Sequence, residues 1–434
     1  MNCIKTSNIL FPKKEINLEK WAVIACDQYT SQPNYWKEVL ETVQDVPSTY
    51  NITLPEIYLE DDDMLEKTKI IHQNMKNYIN SGILSTLPEG IVLVKRYTSD
   101  KNPRRGVVLE IDLECYDFSP SSTSPIRPTE KTIVERIPPR LVIRRDADLE
   151  TPHVMLLIDD PAREIIEPLF EKPQVCIYDF DLMQNGGHIS GYFVEKGEKT
   201  DEFFSKINSL FNEKTFCEKY NLEFKKYPTL PFAVGDGNHS LATAKSHWLD
   251  VKHGLTDFEQ ENHPARFCLV EIVNIHEESL IIEPIHRVLF NVDIPRFTDY
   301  SKTFFEKNGC KTELLSEKPL HIKDSHIFPI ITNKTTQYLV VSNPKWAIPI
   351  ATLQNLLDDF MSIEKQCKLD YIHGEDVVLE LAKNDKTIGF ILPDIEKGDI
   401  FKGVILDGVL PRKTFSMGEA HEKRYYIESR KITL

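Results

Sequence analysis

The chain has 434 residues, 41% hydrophobic and 27% charged, a balance that fits a soluble globular protein with a sizeable core. Its net charge of −15 argues against broad binding to nucleic acid or to anionic membrane, since both need basic surface. The 8 cysteines are scattered without a C-x-x-C pair, so each reads as a reduced small hydrophobe; a disulfide framework is not expected and a zinc ribbon is excluded.

No apolar run approaches membrane-spanning length and no signal-peptide pattern is present, so the expected location is cytoplasmic. Trp21 to Ala25 reads as an early strand. It leads into the polar loop from Cys26 to Pro33, a common setting for ligand contacts. Cys26, beside Asp27, is the one cysteine to watch as a nucleophile. Helices are expected from Pro33 through Val39 and from Met64 to Ile79, the second preceded by Asp61–Asp63 as the helix dipole favours. Ile91–Tyr97 and Gly106–Tyr116 read as a strand pair whose connection holds Asp100, Asn102 and Pro103.

A Ser/Pro-rich loop from Phe118 to Pro128 precedes the most basic stretch, which carries Arg127, Lys131, Arg136, Arg140, Arg144 and Arg145. Guanidinium forks suit phosphate or carboxylate, and pairing with local acids is the equal alternative. Glu130, next to Arg127 and Lys131, is a candidate general base, ionised until its hydroxyl substrate arrives. A buried strand, Val154–Ile158, is followed by a helix from Pro161 to Phe170. Asn185-Gly186-Gly187 marks a hairpin between Val175–Phe180 and His188–Val194. Tyr178, Asp179 and Asp181 are ladder residues or a metal shelf.

The chain is organised around Leu230–Lys245. Phe232 to Val234 is a short buried strand. It ends at Gly235-Asp236-Gly237, after which Asn238 or Ser240 caps a helix with the apolar stripe Leu241, Ala244 and Trp248. Strand, glycine turn and helix N-terminus make an anion site, because free amides and the helix dipole favour phosphate. The alternative is that the same pattern is only a turn. The candidate phosphate- or nucleotide-binding residues are Gly235, Gly237, Asn238 and Ser240, with Arg127 and Thr129 from the basic segment. His239 can donate to a phosphate oxygen. Asp236 would repel bare phosphate, so it is expected to hold Mg²⁺, a hydroxyl or a backbone group. There is no P-loop, and Ser240 stands where a dinucleotide fingerprint needs its third glycine.

Arg266–Ile275 is a long strand, and Glu283–Arg287 begins another in which His286 and Arg287 are candidate substrate contacts or a core-edge pair. After Asn291 come a helix near Phe297–Lys307, a hairpin from Ile327 to Val341, a helix near Ala351–Met361 and a turn at Gly374–Asp376 into another helix. The tail from Gly408 to Tyr425, with Arg412 and Lys413 as further substrate contacts, is too aromatic for a frayed end and is expected to fold back near the site. The fold class is α+β, organised as an N-terminal α/β portion (1–120), a central core with the phosphate-binding turn (121–290) and a C-terminal α+β portion (291–434).

Ile126–Glu130, Arg136–Pro139, His153–Asp160, Gly235–His239, Glu283–Val288, His373–Asp376 and Pro411–Tyr425 together resemble the DUF1015 family over nearly the whole chain. That family is distantly similar to the ParB/sulfiredoxin superfamily and its free serine kinases, which implies a ParB/sulfiredoxin-like core with added mixed-sheet portions. Asp236-Gly237-Asn238-His239 resembles the D-G-H-H turn that those enzymes place under nucleotide phosphates, with Ser240 where an arginine stands. Pro128-Thr129-Glu130 is similar to their Pro-Thr-Glu segment, which carries a catalytic acid. The family's association with serine biosynthesis makes serine or phosphoserine the implied ligand.

Three functions follow as expectations. The first is phosphoryl transfer from ATP or ADP to serine or a similar hydroxyl compound: Glu130, His239 and Asp236 are catalytic, His239 and Arg127 neutralise charge, and Asp236 holds Mg²⁺. The second is a phosphatase of phosphoserine or a similar monoester. The third is a non-catalytic nucleotide or amino-acid sensor, which the serine at 240 favours. The expected partner is a small molecule, serine-like or phosphorylated, with no nucleic acid and no membrane; a homodimer is compatible with the chain.

Overall fold

The computed structural model describes residues 3–98, 102–172, 174–320 and 322–434, so the hairpin residue Asp100 lies outside the described residues. The chain forms two units. The first comprises Met1–Pro128, Thr132–Leu280 and Gly418–Leu434, the second Thr129–Lys131 and Ile281–Met417. Both mix helices with sheet, an α+β architecture.

The first unit is built on a mixed sheet of nine strands among the described residues. Its order is Val175–Asp181, His188–Glu195, Gly90–Tyr97, Arg104–Asp112, Phe267–Asn274, Met155–Ile158, Phe232–Asp236 and Ile126–Pro128, with Ile4–Lys5 added to Arg104–Asp112. Strands from both sides of residue 120 therefore share one sheet. Its central strands are apolar at successive positions because both faces are covered. Ile91, Leu93, Val107 and Leu109 point into one core, while Val92, Val94 and Val108 point into another, the two-residue period of a strand. The first of these cores also receives Leu241, Ala244 and Trp248 from the helix Asn238–Lys252, which fixes that helix against the sheet.

Three local expectations are corrected. Trp21 ends a short helix, Leu18–Trp21, because Asn17 caps it by accepting from the Lys20 amide; only Val23–Ile24 is strand. Pro161–Phe170 is not one helix: Asp160 Oδ2 captures the amides of Glu164 and Ile165 at 2.8 and 2.9 Å, and only Glu167–Phe170 turns, as a 3₁₀ helix. Cys3 and Cys115 form a disulfide, since pairing of Ile4 with Ile111 brings the two ends together. Cys26, Cys176, Cys217, Cys268, Cys310 and Cys367 are free thiols.

The segment from Gly418 onward is woven into the first unit. Tyr425–Tyr426 pairs with Val23–Ile24, and Arg430–Lys431 with Leu149–Glu150. Arg424 is buried between Glu271 and Glu428 and donates to the Pro152 carbonyl at 2.8 Å.

Among the described residues, the second unit carries an antiparallel sheet of six strands, ordered Lys311–Leu315, Thr336–Ser342, Ser325–Ile331, Thr387–Phe390, His286–Phe290 and Lys368–Ile372. The helices Ile294–Lys307 and Pro349–Ile363 meet through Phe297 and Phe360, whose rings are 5.0 Å apart. Thr129 belongs to this unit, its carbonyl accepting from the Leu410 amide at 2.7 Å.

Candidate phosphate site

The strand Phe232–Asp236 runs antiparallel to Met155–Ile158 and parallel to Ile126–Pro128. Its register shifts between Val234 and Asp236, so Gly235 sits at a bulge that re-aims the strand end. Gly237 follows with φ 78° and opens the helix Asn238–Lys252. A Cβ on Gly237 would lie 2.9 Å from Val154 Cα and 3.1 Å from His153 Cδ2, so both the backbone angle and the close approach require glycine. Among the described residues no side chain caps this helix, which corrects the expectation that Asn238 or Ser240 does so. The Leu241 amide donates to the Gly237 carbonyl at 3.0 Å and starts the helical ladder. The amides of Asn238, His239 and Ser240 precede it, at the positive end of the helix dipole.

Asp236 is held from two sides. Its Oδ1 accepts from the Gly237 amide at 2.9 Å, and its Oδ2 lies 3.1 Å from Lys423 Nζ. Burial opposes ionisation of this carboxyl, but Lys423, helped by the Gly237 amide, outweighs it and keeps the group below its usual range. Among the described residues, no group of three His, Cys, Asp or Glu side chains could hold a metal ion. Asp236 thus holds a backbone group, one of the three partners expected of it, and pairs with Lys423, an arrangement that does not favour the Mg²⁺ alternative.

His239 is half-buried, and its Nε2 accepts from the Ile133 amide at 3.3 Å. Burial, with Arg140 and Arg136 nearby, pushes its pKa down to about 4. The ring is therefore neutral at neutral pH and carries its proton on Nδ1. It offers a hydrogen bond and no charge, which corrects the expected charge-neutralising role. The positive groups near it are Arg136, which is exposed, and Arg140, which grips Glu56 with both arms of its fork, Nε to Oε1 at 2.6 Å.

Ser240 Oγ lies 2.8 Å from His153 Nε2, and His153 Nδ1 lies 2.7 Å from the Tyr426 hydroxyl. That hydroxyl accepts from the Cys26 amide at 3.0 Å, and Asp27 Oδ2 stands 3.9 Å from His153 Nε2. Ser240, Thr243, His153, Tyr426 and Cys26 all line one cavity of about 150 Å³. Cys26 is no activated nucleophile: burial raises its thiol well above the ordinary value, and Glu56 and Asp27 raise it further.

The remaining expected residues make the following contacts. Arg127 is buried, and its guanidinium donates to the carbonyls of Pro228 and Thr229, both at 3.2 Å, in the segment that leads into the strand Phe232–Asp236. One nitrogen of its fork is taken by those carbonyls, and burial lowers its pKa to about 10. Arg127 therefore ties this segment to the strand, where a phosphate clamp was expected.

Glu130, His286, Arg287, Arg412 and Lys413 are in the second unit with Thr129. Glu130 Oε1 accepts from the Thr414 amide at 3.2 Å. Arg287 is fully buried; it donates to the Lys413 carbonyl at 3.0 Å and to Gln354 at 2.9 Å, and lies 4.5 Å over the Tyr371 ring. Arg412 Nε donates to the Tyr371 hydroxyl at 2.9 Å. His286 Nδ1 accepts from the Leu392 amide at 3.2 Å. These residues form one cluster around Tyr371 and Thr414, except for His286, which is tied to Leu392.

Sequence reasoning gave His153, Lys423 and Tyr426 no individual role. His153 had one local signal, a histidine directly before a buried apolar strand. Lys423 sat unremarked in the polar tail, and Tyr426 had no local signal.

No curated protein matches the chain. Among solved structures, it is similar to a mutant free serine kinase in complex with AMP, at 11% identity over 75% of this chain and 92% of that one, with a TM-score of 0.39. It is similar to a conserved hypothetical protein from Pyrococcus furiosus at 10% identity, over 75% and 95% of the two chains, with a TM-score of 0.34. C-terminally truncated SbnI from Staphylococcus aureus matches at 9% identity, over 72% and 83%, with a TM-score of 0.36. Among the described residues no helix is long and apolar enough to cross a membrane. The model of the family described as "Protein of unknown function (DUF1015)" matches residues 8–360, and the chain belongs to that family.

Proposed function

We propose that this chain is a phosphoryl-transfer enzyme that seats a phosphate of a small organic phosphate on the first turn of the helix Asn238–Lys252. The observation that carries the reading is the helix opening at Gly237, which leaves three leading amides beside the Ser240 hydroxyl and the Lys423–Asp236 pair. Amides at a helix N-terminus favour an anion, and Lys423 offsets the carboxylate that would otherwise repel it. His239 adds a neutral donor through Nδ1, and Arg136 adds positive field, Arg140 being paired with Glu56. Such a site acts by positioning and electrostatics.

The donor and acceptor to examine first are ATP or ADP and serine, the pair that the sequence resemblance implies. The hydrogen bond between Ser240 and His153 favours a second reading in which water is the acceptor and phosphoserine or a similar monoester is hydrolysed. The test incubates the protein with ATP or ADP and Mg²⁺, with and without serine, and separately with phosphoserine alone. Phosphoserine formed from serine supports the kinase, and inorganic phosphate released from phosphoserine alone supports the phosphatase. Tight ADP binding without turnover in either assay contradicts both and leaves a nucleotide sensor.

A further inference from the structure

We propose that Ser240 is a covalent nucleophile, that His153 takes its proton, and that the cavity beside them holds the apolar part of an organic phosphate monoester. The inference rests on the phosphoryl-transfer reading above and adds a route and a substrate class to it. The geometry is that of a nucleophile and its base: Ser240 Oγ is 2.8 Å from His153 Nε2, and the far ring nitrogen is fixed by the Tyr426 hydroxyl at 2.7 Å. The hydroxyl is itself held by the Cys26 amide at 3.0 Å, so the imidazole plane is set from behind. Ser240 is half-buried rather than sealed, and it stands in the first turn of its helix.

The cavity that Ser240 and His153 share is otherwise mostly apolar, with Ile52, Leu54, Met75, Ile143, Ala147 and Leu149 in its wall. Its acids are matched: Glu56 pairs with Arg140 and Glu150 with Arg144. An apolar cavity of this order of volume takes a benzene-sized group. Phosphoserine would leave this wall unfilled, so among the monoesters of the hydrolytic reading those with a larger aromatic or aliphatic moiety are favoured.

In the first step the Ser240 Oγ–P bond forms as the bond from phosphorus to the ester oxygen breaks. The Ser240 proton passes to His153 Nε2 and then to the departing alkoxide, which leaves as the alcohol. In the second step water attacks the phosphoserine, gives a proton to His153, and the Ser240 oxygen leaves and recovers that proton. The sum is monoester plus water to alcohol plus phosphate.

The test uses the full chain with p-nitrophenyl phosphate. The expected result is a burst of p-nitrophenol stoichiometric with protein and a gain of one phosphoryl group on the peptide holding Ser240. Both should be lost in Ser240→Ala, and the burst should slow by about 100-fold in His153→Ala. Phenyl phosphate should bind at least about tenfold more tightly than inorganic phosphate, and equal affinities overturn the cavity assignment. Wild-type protein that binds inorganic phosphate but never carries a phosphoryl group on Ser240 overturns the covalent route and leaves the phosphate site standing. Absence of inorganic phosphate binding overturns the underlying reading.

Discussion

Lys423 Nζ stands 3.1 Å from Asp236 Oδ2, and this pair sets the charge at the helix start. A carboxyl held low in the folded state contributes stability above its unfolded pKa, about 3.9, and loses that contribution as pH falls through the lower folded value. In Lys423→Met the strongest lowering influence on Asp236 is lost, so its pKa in the folded state rises from the wild-type level. The acid-unfolding midpoint then moves to higher pH, and affinity for inorganic phosphate falls by about tenfold. Acid titration followed by circular dichroism, with calorimetry for phosphate, checks both.

His239 is expected to stay neutral far below the ordinary imidazole range. Its folded pKa is pushed from 6.5 down to about 4, so between these values the unfolded chain binds the proton more readily. The His239 contribution to stability is fully present above 6.5 and is lost as pH falls toward 4. In NMR titrations the His239 ring signals should be flat from about pH 8 to about pH 5. Arg136→Gln should raise the inflection, because it removes one of the two guanidinium groups.

Gly237→Ala should destabilise the first unit by about 1–3 kcal/mol in denaturant titrations, because the new Cβ meets Val154 backbone in a left-handed conformation. Gly254→Ala is the matched control. Its Cβ would meet only Val251 O, at 3.9 Å, and its effect should stay within about 0.5 kcal/mol.

Much of the scaffold was readable because its signals are local. The continuous apolar run around Ile91–Val94, the Asn-Gly hairpin and the Leu241–Trp248 stripe each declare themselves within a few residues. Expectations failed where a neighbouring side chain took over the backbone, as Asp160 does before Glu164, or where distant segments meet. Cys3 and Cys115 are 112 positions apart, and His153 and Tyr426 are 273 apart. At the site, the glycine turn was legible from its residue types. The cation beside it was not: Arg127 sits in a conspicuously basic run yet bonds to carbonyls, while Lys423 arrives from a tail whose pairing with Val23–Ile24 has no local pattern.

Arg127→Gln separates these two basic groups. It should lower stability by about 1–3 kcal/mol, since the Pro228 and Thr229 carbonyls lose their partner. Phosphate affinity should stay within about twofold of wild type. A large loss of affinity at unchanged stability would return Arg127 to the clamp.

The measurement that bears most directly on the phosphate site is a titration of the full chain with inorganic phosphate, followed by amide NMR shifts. The account predicts that the amides of Asn238, His239 and Ser240 move together, with one dissociation constant, and that Lys423→Met weakens all three in parallel. Saturating phosphate that leaves these three amides unmoved would contradict it, whatever shifts elsewhere.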